Sequence, residues 1–368
     1  MNDAPSTTPR SDFPRREISS PRRKKRTGLL LLALSCLAIA PLADSCAPHR
    51  HRPPVGRRPL VGFSLDSLVV ERWKRDLDVL DSSVRDLGAD FIYRVADQDA
   101  SVQERQVREL ADLGIDVLVI VPNDADRLSQ VVSEVRQRGI PVLSYDRLVQ
   151  RAGVNLYISF DNYKVGELMA KAVFGVRPRG NWLILNGANN DHNAILLNQG
   201  VHGVIDPAIA SGAIKLIGDT WPDSWDSESA HSSVERALEN GQSISAIISG
   251  NDMLAEAAIG VLAENGFAGS VTVVGQDADL AACQRIAEGL QYATIYKPID
   301  ILARRAAACA VSLAKGEAVE ADSTIFDGRS QIPFIRLQPI LVTKNLLDST
   351  VIKDGFHRAE DVYRNVGR

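Results

Sequence analysis

Cysteine is scarce in this chain of 368 residues, which holds four. Cys283 and Cys309 stand in apolar stretches of helical pattern, so we expect two small buried side chains, although one disulfide between them stays open. Neither the cysteines nor the six scattered histidines form a cluster with zinc-ligand spacing. We therefore expect no metal site and no other cofactor.

Basic residues are fewer than acidic residues over most of the chain. The first 58 residues hold 12 Lys and Arg against 4 Asp and Glu, and because the whole chain carries −4, the remainder carries about −12. A protein that binds nucleic acid needs a basic face to neutralise phosphates. This charge balance excludes nucleic acid as the main partner.

The short motifs of common catalytic sites are also missing. The chain has no Gly-x-Ser-x-Gly elbow, no Walker phosphate loop and no Gly-x-Gly-x-x-Gly fingerprint. Its many carboxylates could in principle include a glycosidase pair, but no local acid and nucleophile signature marks one. We predict that the protein is not an enzyme and has no catalytic residues.

The longest apolar run lies near the N-terminus and is too short to span a bilayer. Residues 28–43 follow the basic run 22–26, and small residues precede Cys46. This order predicts a signal peptide over 1–46, and Cys46 resembles the acylated cysteine of bacterial lipoproteins. A lipid anchor at Cys46 is expected ahead of a plain secreted form or an uncleaved anchor, with the Pro-, Arg- and His-rich residues 47–58 as a stiff tether.

The rest of the chain alternates short β-branched runs with longer stretches of helical period. With 45% hydrophobic residues and this length, the chain can form two packed domains. Strand, helix and strand in repeated order predict an α/β fold with parallel, doubly wound sheets. Residues 116–146 and 244–277 also share one order, namely strand, Asn-Asp, helix, Gly, strand and Asp. This order indicates a duplication, and the common strand-helix-strand pattern of such sheets is the alternative.

Polar side chains follow many of these strands at the point where each strand ends. In an open parallel sheet, ligands bind beyond the carboxyl ends of the strands, so these side chains are candidates for a binding site. Each offers planar or charged groups that make several directional hydrogen bonds. They are Arg72, Asp146, Arg147, Asp191, Asn193, Asn251, Asp277 and Lys297.

Aromatic residues make up only 5% of the chain, yet two tryptophans stand at predicted helix starts beside polar neighbours. Trp73 and Trp225 could stack on the apolar face of a sugar ring while the polar groups bind its hydroxyls. Each could instead simply anchor a helix in the core. Taken with the strand ends, they favour a site for a polyhydroxylated ligand.

Several longer motifs make a family resemblance specific. The chain resembles the D-xylose-binding proteins of bacterial sugar ABC transporters, which have the type I periplasmic binding protein fold, from about Val61 to its C-terminus. The motifs that carry the resemblance are VERW, LSYDRL, YISFDNYKVGEL, SGND, GQDADLAACQRIAEG, TIYKP and VIKDGFHRAEDVY.

The resemblance implies two Rossmann-like lobes joined by a three-strand hinge. We expect the N-terminal lobe to hold residues 59–162 plus 298–325 and the C-terminal lobe residues 163–297 plus 326–368. The chain would then cross between lobes near 161–164, near 296–298 and after about Ile325.

The resemblance also implies a role for each site residue. Arg72, Asp146 and Arg147 would bind the sugar from the first lobe, and Trp73 and Trp225 would sandwich its ring. Asn193, Asn251, Asp277 and Lys297 would bind from the second lobe or the hinge, with Asp191 as a further member. His192 departs from the more usual Asn beside Asn193, which puts the hydrogen bonding there in question.

The expected function is therefore that of an exported solute-binding protein, periplasmic or on the cell surface. It would bind one monosaccharide, D-xylose before others, and deliver it to a permease and an ATPase subunit. The multiple-monosaccharide binding proteins share similar motifs, so glucose, galactose or arabinose stay open as ligands. A sensor that presents sugar to a membrane receptor is a second alternative.

Overall fold

The structure is a computed structural model that describes residues 56–70 and 72–366. The predicted signal peptide, Cys46 and most of the tether lie outside the described residues. The strands are β1 (Leu60–Leu65), β2 (Asp90–Val95), β3 (Val117–Ile120), β4 (Val142–Tyr145), β5 (Leu156–Phe160), β6 (Gly180–Leu185), β7 (Ile214–Thr220), β8 (Ala246–Ser249), β9 (Thr272–Gln276), β10 (Ala293–Tyr296), β11 (Ser323–Phe326), β12 (Gln331–Leu337) and β13 (Ile340–Thr343). The helices are α1 (Arg72–Asp86), α2 (Ala100–Asp112), α3 (Ser129–Gln137), α4 (Asn162–Val176), α5 (His192–Ala210), α6 (Ser227–Glu239), α7 (Asp252–Glu264), α8 (Leu280–Glu288), α9 (Ile299–Ala314) and α10 (Ala359–Val362).

The strands form two sheets. The first has the order β11-β12-β5-β4-β3-β1-β2 and the second the order β13-β10-β9-β8-β6-β7. Within them, β5-β4-β3-β1-β2 and β10-β9-β8-β6-β7 are five parallel strands in the same order. We call each sheet with its packed helices the first lobe and the second lobe. The predicted α/β fold of two doubly wound lobes is confirmed.

Burial on both faces explains why the central strands read as apolar runs. All four residues of β3 and of β8 are buried, since helices cover both sides of each sheet. The first sheet separates two hydrophobic clusters, and the second sheet separates another two. Amphipathic helices complete these layers; α3, for example, turns Val131, Val132 and Val135 inward.

The predicted duplication corresponds to one repeated unit of the fold. The segment β3-α3-β4 of the first lobe and the segment β8-α7-β9 of the second occupy equivalent places in the two strand orders. The aspartates that follow them, Asp146 and Asp277, therefore stand at equivalent strand ends.

The chain passes between the sheets at three places, and the third differs from the expectation. It leaves the first sheet after β5 and returns after β10, where α9 packs against α1 and β1. We expected residues 326–368 in the second lobe, but β12 pairs with β5 of the first sheet, so the third crossing falls between Leu337 and Ile340. The assignment of 326–337 to the second lobe was wrong because β5 and β10 both offered an open edge, and the strand pattern does not choose between them.

The two cysteines of the body lie in separate places. Cys283 in α8 packs in a cluster of the second lobe, and Cys309 in α9 packs in a core of the first lobe. Both are buried, in keeping with the expectation of small apolar side chains. None of the helices within residues 56–70 and 72–366 combines the length and the apolar character that a membrane crossing needs.

Candidate functional site

All ten residues predicted from the strand ends and helix starts line one cavity between the two lobes. The empty space there is about 360 Å³ when its opening to solvent is included. The first lobe contributes Arg72, Trp73, Asp146 and Arg147, the second lobe contributes Asp191, Asn193, Trp225, Asn251 and Asp277, and Lys297 stands at the second crossing. That these residues bind a ligand stays a prediction, but the structure brings them together.

Arg72 lines the cavity from the first position of α1. Its Nη2 lies 2.9 Å from Asp146 Oδ2, and its Nη1 lies 3.7 Å from Asp277 Oδ1 in the other lobe. From behind, Arg72 Nε donates to Asp76 Oδ2 at 3.2 Å, and Asp76 also accepts a short hydrogen bond from the Tyr145 hydroxyl. The guanidinium is therefore held between Asp76 behind it and the two aspartates that line the cavity.

Arg147 joins the two lobes. Its Nη1 donates to Asp66 Oδ2 of the first lobe at 2.8 Å, and its Nε lies 2.7 Å from Asp191 Oδ2 of the second. Asp191 caps α5 through the Asn193 amide and also accepts from Trp225 Nε1 at 3.1 Å. One guanidinium thus links the helix cap and the tryptophan of the second lobe to the first.

Asn193 makes a second link across the cleft. Its Nδ2 donates to the Asp146 carbonyl at 2.9 Å and to Asp146 Oδ1 at 3.2 Å. Neighbouring His192 begins α5 and is not among the residues that line the cavity. Burial lowers the pKa of His192, against the opposing effect of Asp191.

The ends of β8, β9 and β10 build another part of the second-lobe side of the cavity. Lys297 Nζ lies 2.7 Å from Asp277 Oδ1, and Asn251 caps α7 by accepting from the Leu254 amide at 2.9 Å. Asn251 is therefore a helix cap that also lines the cavity.

The two aspartates at the equivalent strand ends, Asp146 and Asp277, share an uncommon backbone conformation. Asp146 has φ of 62° and Asp277 has φ of 94°, in the left-handed region that L residues rarely adopt. The Asp146 amide donates to the Ile158 carbonyl, and the Asp277 amide donates to the Ile295 carbonyl, both at 2.8 Å. Strained backbone of this kind concentrates at functional sites, where the surrounding structure holds it.

The tryptophans occupy opposite walls. Trp73 is buried within the core of the first lobe, with the Arg72 guanidinium carbon 4.5 Å from its ring centre, so it both anchors α1 and lines the cavity. Trp225 is half-buried and lies across the backbone of Gly187, where a Cβ would come within 2.2 Å of its ring. A glycine is therefore required at 187 for this ring position.

The charges of the cavity balance. The lining holds three cations, Arg72, Arg147 and Lys297, and three anions, Asp146, Asp191 and Asp277. Burial alone would raise the pKa of Asp146, but Arg72, Lys297 and Arg147 outweigh it and hold that pKa below its ordinary value. Such a site suits an uncharged ligand with many hydroxyls, because each charged group needs hydrogen-bond partners rather than a counterion.

Three further residues line the cavity that sequence reasoning did not commit to: Val70, Asn162 and Gln276. Gln276 donates from Nε2 to the Gly250 carbonyl at 2.6 Å, while its buried Oε1 has no hydrogen-bond partner among the described residues. Its place at the end of β9, directly before Asp277, was a signal that could have identified it. Among residues 56–70 and 72–366, no group of three or more His, Cys, Asp or Glu side chains is arranged to hold a metal ion.

Sequence comparison finds close relatives over most of the chain. A family model described as a periplasmic binding protein domain matches residues 61–318. The chain is 44% identical over 304 residues to the D-xylose-binding periplasmic protein of Haemophilus influenzae and 43% identical over 303 residues to that of Escherichia coli. In each case the match covers 82% of this chain and 92% of the relative. The multiple sugar-binding periplasmic receptor ChvE of Rhizobium radiobacter is 28% identical, over 82% of this chain and 92% of its own.

Solved structures show the same fold. A carbohydrate transporter solute-binding protein from Chloroflexus aurantiacus, in complex with D-glucose, aligns with a TM-score of 0.76 at 25% identity and covers 83% of this chain and 98% of its own. A solute-binding protein of an ABC transporter from Clostridium phytofermentans, with bound β-D-glucose, aligns with a TM-score of 0.75 at 23% identity, over 82% of this chain and 99% of its own. The latter likeness concerns the fold alone.

Proposed function

The chain belongs to the periplasmic binding protein family, and from this premise we propose that it is the exported D-xylose-binding component of a sugar ABC transporter. The observation that carries the proposal is the single cavity lined by all ten candidate residues, with equal numbers of cations and anions. The 44% identity to a D-xylose-binding periplasmic protein supports D-xylose as the ligand.

The geometry supports a division of labour within the cavity. Trp73 and Trp225 would hold the apolar faces of a pyranose ring, since C–H groups pack well on aromatic surfaces. Arg72, Asp146 and Asp277 would bind its hydroxyls, and a ligand that lacked a matching hydroxyl would leave a buried group unpaired at a cost of about 1–3 kcal/mol. No chemical step is required of these residues.

Binding would couple to closure of the lobes. The pairs that join the lobes, Arg147 with Asp191 and Arg72 with Asp277, can form only when the lobes approach each other. A sugar that touches both walls therefore favours the closed form over the open one. The three crossings, near 161, 297 and 338, would act as the hinge.

Isothermal titration against D-xylose, D-glucose, D-galactose, L-arabinose and D-ribose tests the proposed ligand. We expect D-xylose to bind most tightly. Tightest binding of another sugar would instead favour a multiple-sugar binding protein, such as the receptor that is 28% identical to this chain. If none of the five sugars binds, or if the protein converts one of them into a product, the proposed function is refuted.

We further propose that Cys46 carries a lipid that holds the protein at the membrane near a permease and its ATPase. The support is the order of basic run, short apolar run and Cys46 in the sequence. Metabolic labelling with a fatty-acid analogue should mark the wild-type chain and not the Cys46→Ser variant. Equal labelling of both chains, or of neither, would contradict the anchor.

A further inference from the structure

Asp252 is a buried carboxylate that stands behind the cavity. It is the first residue of α7, follows Asn251 and is 1% exposed. It does not line the cavity, and the proposed function assigns it no role. A buried carboxylate is costly unless it is well paired, so its contacts indicate what it does.

Those contacts lead to the turn that presents Asp277. Asp252 Oδ2 accepts from the Asp279 amide at 3.1 Å and from the Thr294 hydroxyl at 2.8 Å. Thr294 Oγ1 in turn accepts from the Ala278 amide at 3.2 Å. Two successive amides of the turn are thus held by Asp252 directly or through one hydroxyl.

The other oxygen of the carboxylate is held as well. Asp252 Oδ1 accepts from Gln291 Nε2 at 2.8 Å. A flip of the Gln291 side-chain amide would break two further hydrogen bonds, because Nε2 also donates to the Ala293 carbonyl and Oε1 accepts from Arg285. We call Asp252, Thr294 and Gln291 the rear clamp. The Asp279 amide, the Thr294 hydroxyl and the Gln291 side chain each donate a hydrogen to the carboxylate, and the ionised form can accept all three.

The turn needs such support. Asp277 and Ala278 both have positive φ, at 94° and 55°, and neither is glycine. Each such residue costs on the order of 1–3 kcal/mol and persists only when its surroundings hold it. Without the rear clamp, relaxation of Ala278 would move Asp277, whose carboxylate meets Lys297 at 2.7 Å in the cavity.

The first lobe holds its equivalent aspartate differently. The Asp146 carbonyl accepts from the hydroxyls of Tyr157 and Ser159, at 2.8 and 2.7 Å. The residue that corresponds to Asp252 in the duplicated segment is Asp124, whose carboxylate caps its own turn through the amides of Asp126 and Arg127. A carboxylate therefore supports the site aspartate in the second lobe, and hydroxyls do so in the first.

We propose that Asp252 is the positioning residue for Asp277 and that its ionised form is needed for tight sugar binding. The proposal rests on the proposed function, because it concerns affinity for the sugar. It adds a pH dependence that the cavity residues alone do not predict.

The charged groups around Asp252 give the direction of that dependence. Asp277 and Asp279 lie on the turn, Arg285 on α8, and Glu256 on α7, where it pairs with Arg285 at 3.0 Å. Burial, together with the charge of Asp277, raises the pKa of Asp252 to about 7, against the hydrogen bonds from Thr294 and Gln291 and the charge of Arg285.

Closure of the lobes changes the charges that set the pKa of Asp252. It brings Arg72 of the first lobe within 3.7 Å of Asp277, which offsets the negative charge that opposes ionisation of Asp252. The pKa of Asp252 is therefore lower in the closed form than in the open form, and closure releases a proton. The affinity for D-xylose should therefore rise as the pH increases above about 7. Below that pH it should stay at a constant low value.

Two measurements on the full chain test the proposal. The first is titration with D-xylose at pH 6 and pH 9 for wild type, Asp252→Asn, Thr294→Val and the matched control Asp124→Asn. The second is hydrogen–deuterium exchange of the Ala278 and Asp279 amides without sugar, which reports on the rear clamp directly.

For wild type and the control we expect about fivefold weaker D-xylose binding at pH 6 than at pH 9, the effect of a pKa shift of somewhat less than one unit. Asp252→Asn replaces one of the two carboxylate oxygens with an NH2 group, so at least one of the three donors loses its acceptor. The affinity of this variant should drop about tenfold at pH 9 and lose its pH dependence. Its turn amides should exchange at least about tenfold faster, and Thr294→Val should speed exchange at Ala278. Because Asp252→Asn retains His192, a flat profile assigns the pH dependence to Asp252.

Wild-type exchange rates in Asp252→Asn, or an unchanged pH profile in that variant, would overturn the proposal. Failure of wild type to bind any of the five sugars would refute the proposed function instead. In that case the exchange rates still decide whether Asp252 holds the turn. If Asp252→Asn does not fold, Thr294→Val carries the same test, with unchanged exchange at Ala278 as the contrary result.

Discussion

At the scale of single residues, the site depends on side chains that do two things at once. Asp191 caps α5 and holds Arg147 and Trp225, and Asn251 caps α7 and lines the cavity. Trp73 belongs to the hydrophobic core and to the cavity wall. A structural role and a binding role are therefore not alternatives for these residues, and substitutions at Trp73 would mix the two effects.

Trp225 separates the two roles better, because it is half-buried. We expect Trp225→Ala to weaken D-xylose binding about tenfold, about 1.4 kcal/mol, through loss of the stacking wall. Trp221→Ala is the matched control, since Trp221 is 37% exposed and is not among the residues that line the cavity. Its affinity by isothermal titration should stay within about twofold of wild type. Equal losses in both variants would mean that Trp225 does not contact the sugar.

At the scale of elements, the second lobe depends on the close approach of α4 and α5. A Cβ on Gly166 would lie 1.9 Å from the Leu197 carbonyl oxygen, and a Cβ on Gly200 would lie 2.0 Å from that of Tyr163. Both obstacles are backbone atoms, which cannot move aside as a flexible side chain can. The two helices can pack at this distance only with glycine at both positions.

Gly200→Ala should therefore lower the free energy of unfolding by about 1–3 kcal/mol, as overpacking does. Gly260→Ala in α7 is the control, because nothing lies within 4 Å of its Cβ position. Alanine there should raise the free energy of unfolding by about 0.5–1 kcal/mol. Urea denaturation of both variants measures the difference. A stable Gly200→Ala protein would show that α4 and α5 can separate at little cost.

At the scale of the whole molecule, pairs of side chains around the cavity join two similar lobes. Arg147 with Asp191 and Asn193 with Asp146 join them directly. An arrangement of this kind can open by movement at three crossings while each sheet stays intact. The lobes should act as rigid bodies, and the sugar should set the balance between open and closed forms.

Small-angle X-ray scattering should detect this balance. We expect the radius of gyration to decrease when saturating D-xylose is added, because a ligand that touches both lobes favours the closed form. Titration under the same conditions confirms that the sugar is bound. A radius of gyration that stays constant while the sugar binds would contradict hinge closure.

The sequence also left some of the whole-molecule arrangement open. Residues 326–337 were assigned to the wrong lobe, because β12 could extend either sheet at β5 or at β10. In the structure β12 lies parallel to β5, while β13 lies antiparallel to β10. A strand pattern reports burial along the strand and carries no information on which edge it joins.

The sequence by itself determined the parallel α/β class, the repeated unit and ten cavity residues, because strand ends and helix starts are local features and parallel strands bring them to one edge. Only the tertiary structure decided the partners across the cleft, the free oxygen of Gln276 and the place of Asp252 beneath Asp277. These depend on how β8, β9 and β10 align and on how the lobes meet. Contacts between residues distant in the chain follow from packing, which no local pattern encodes.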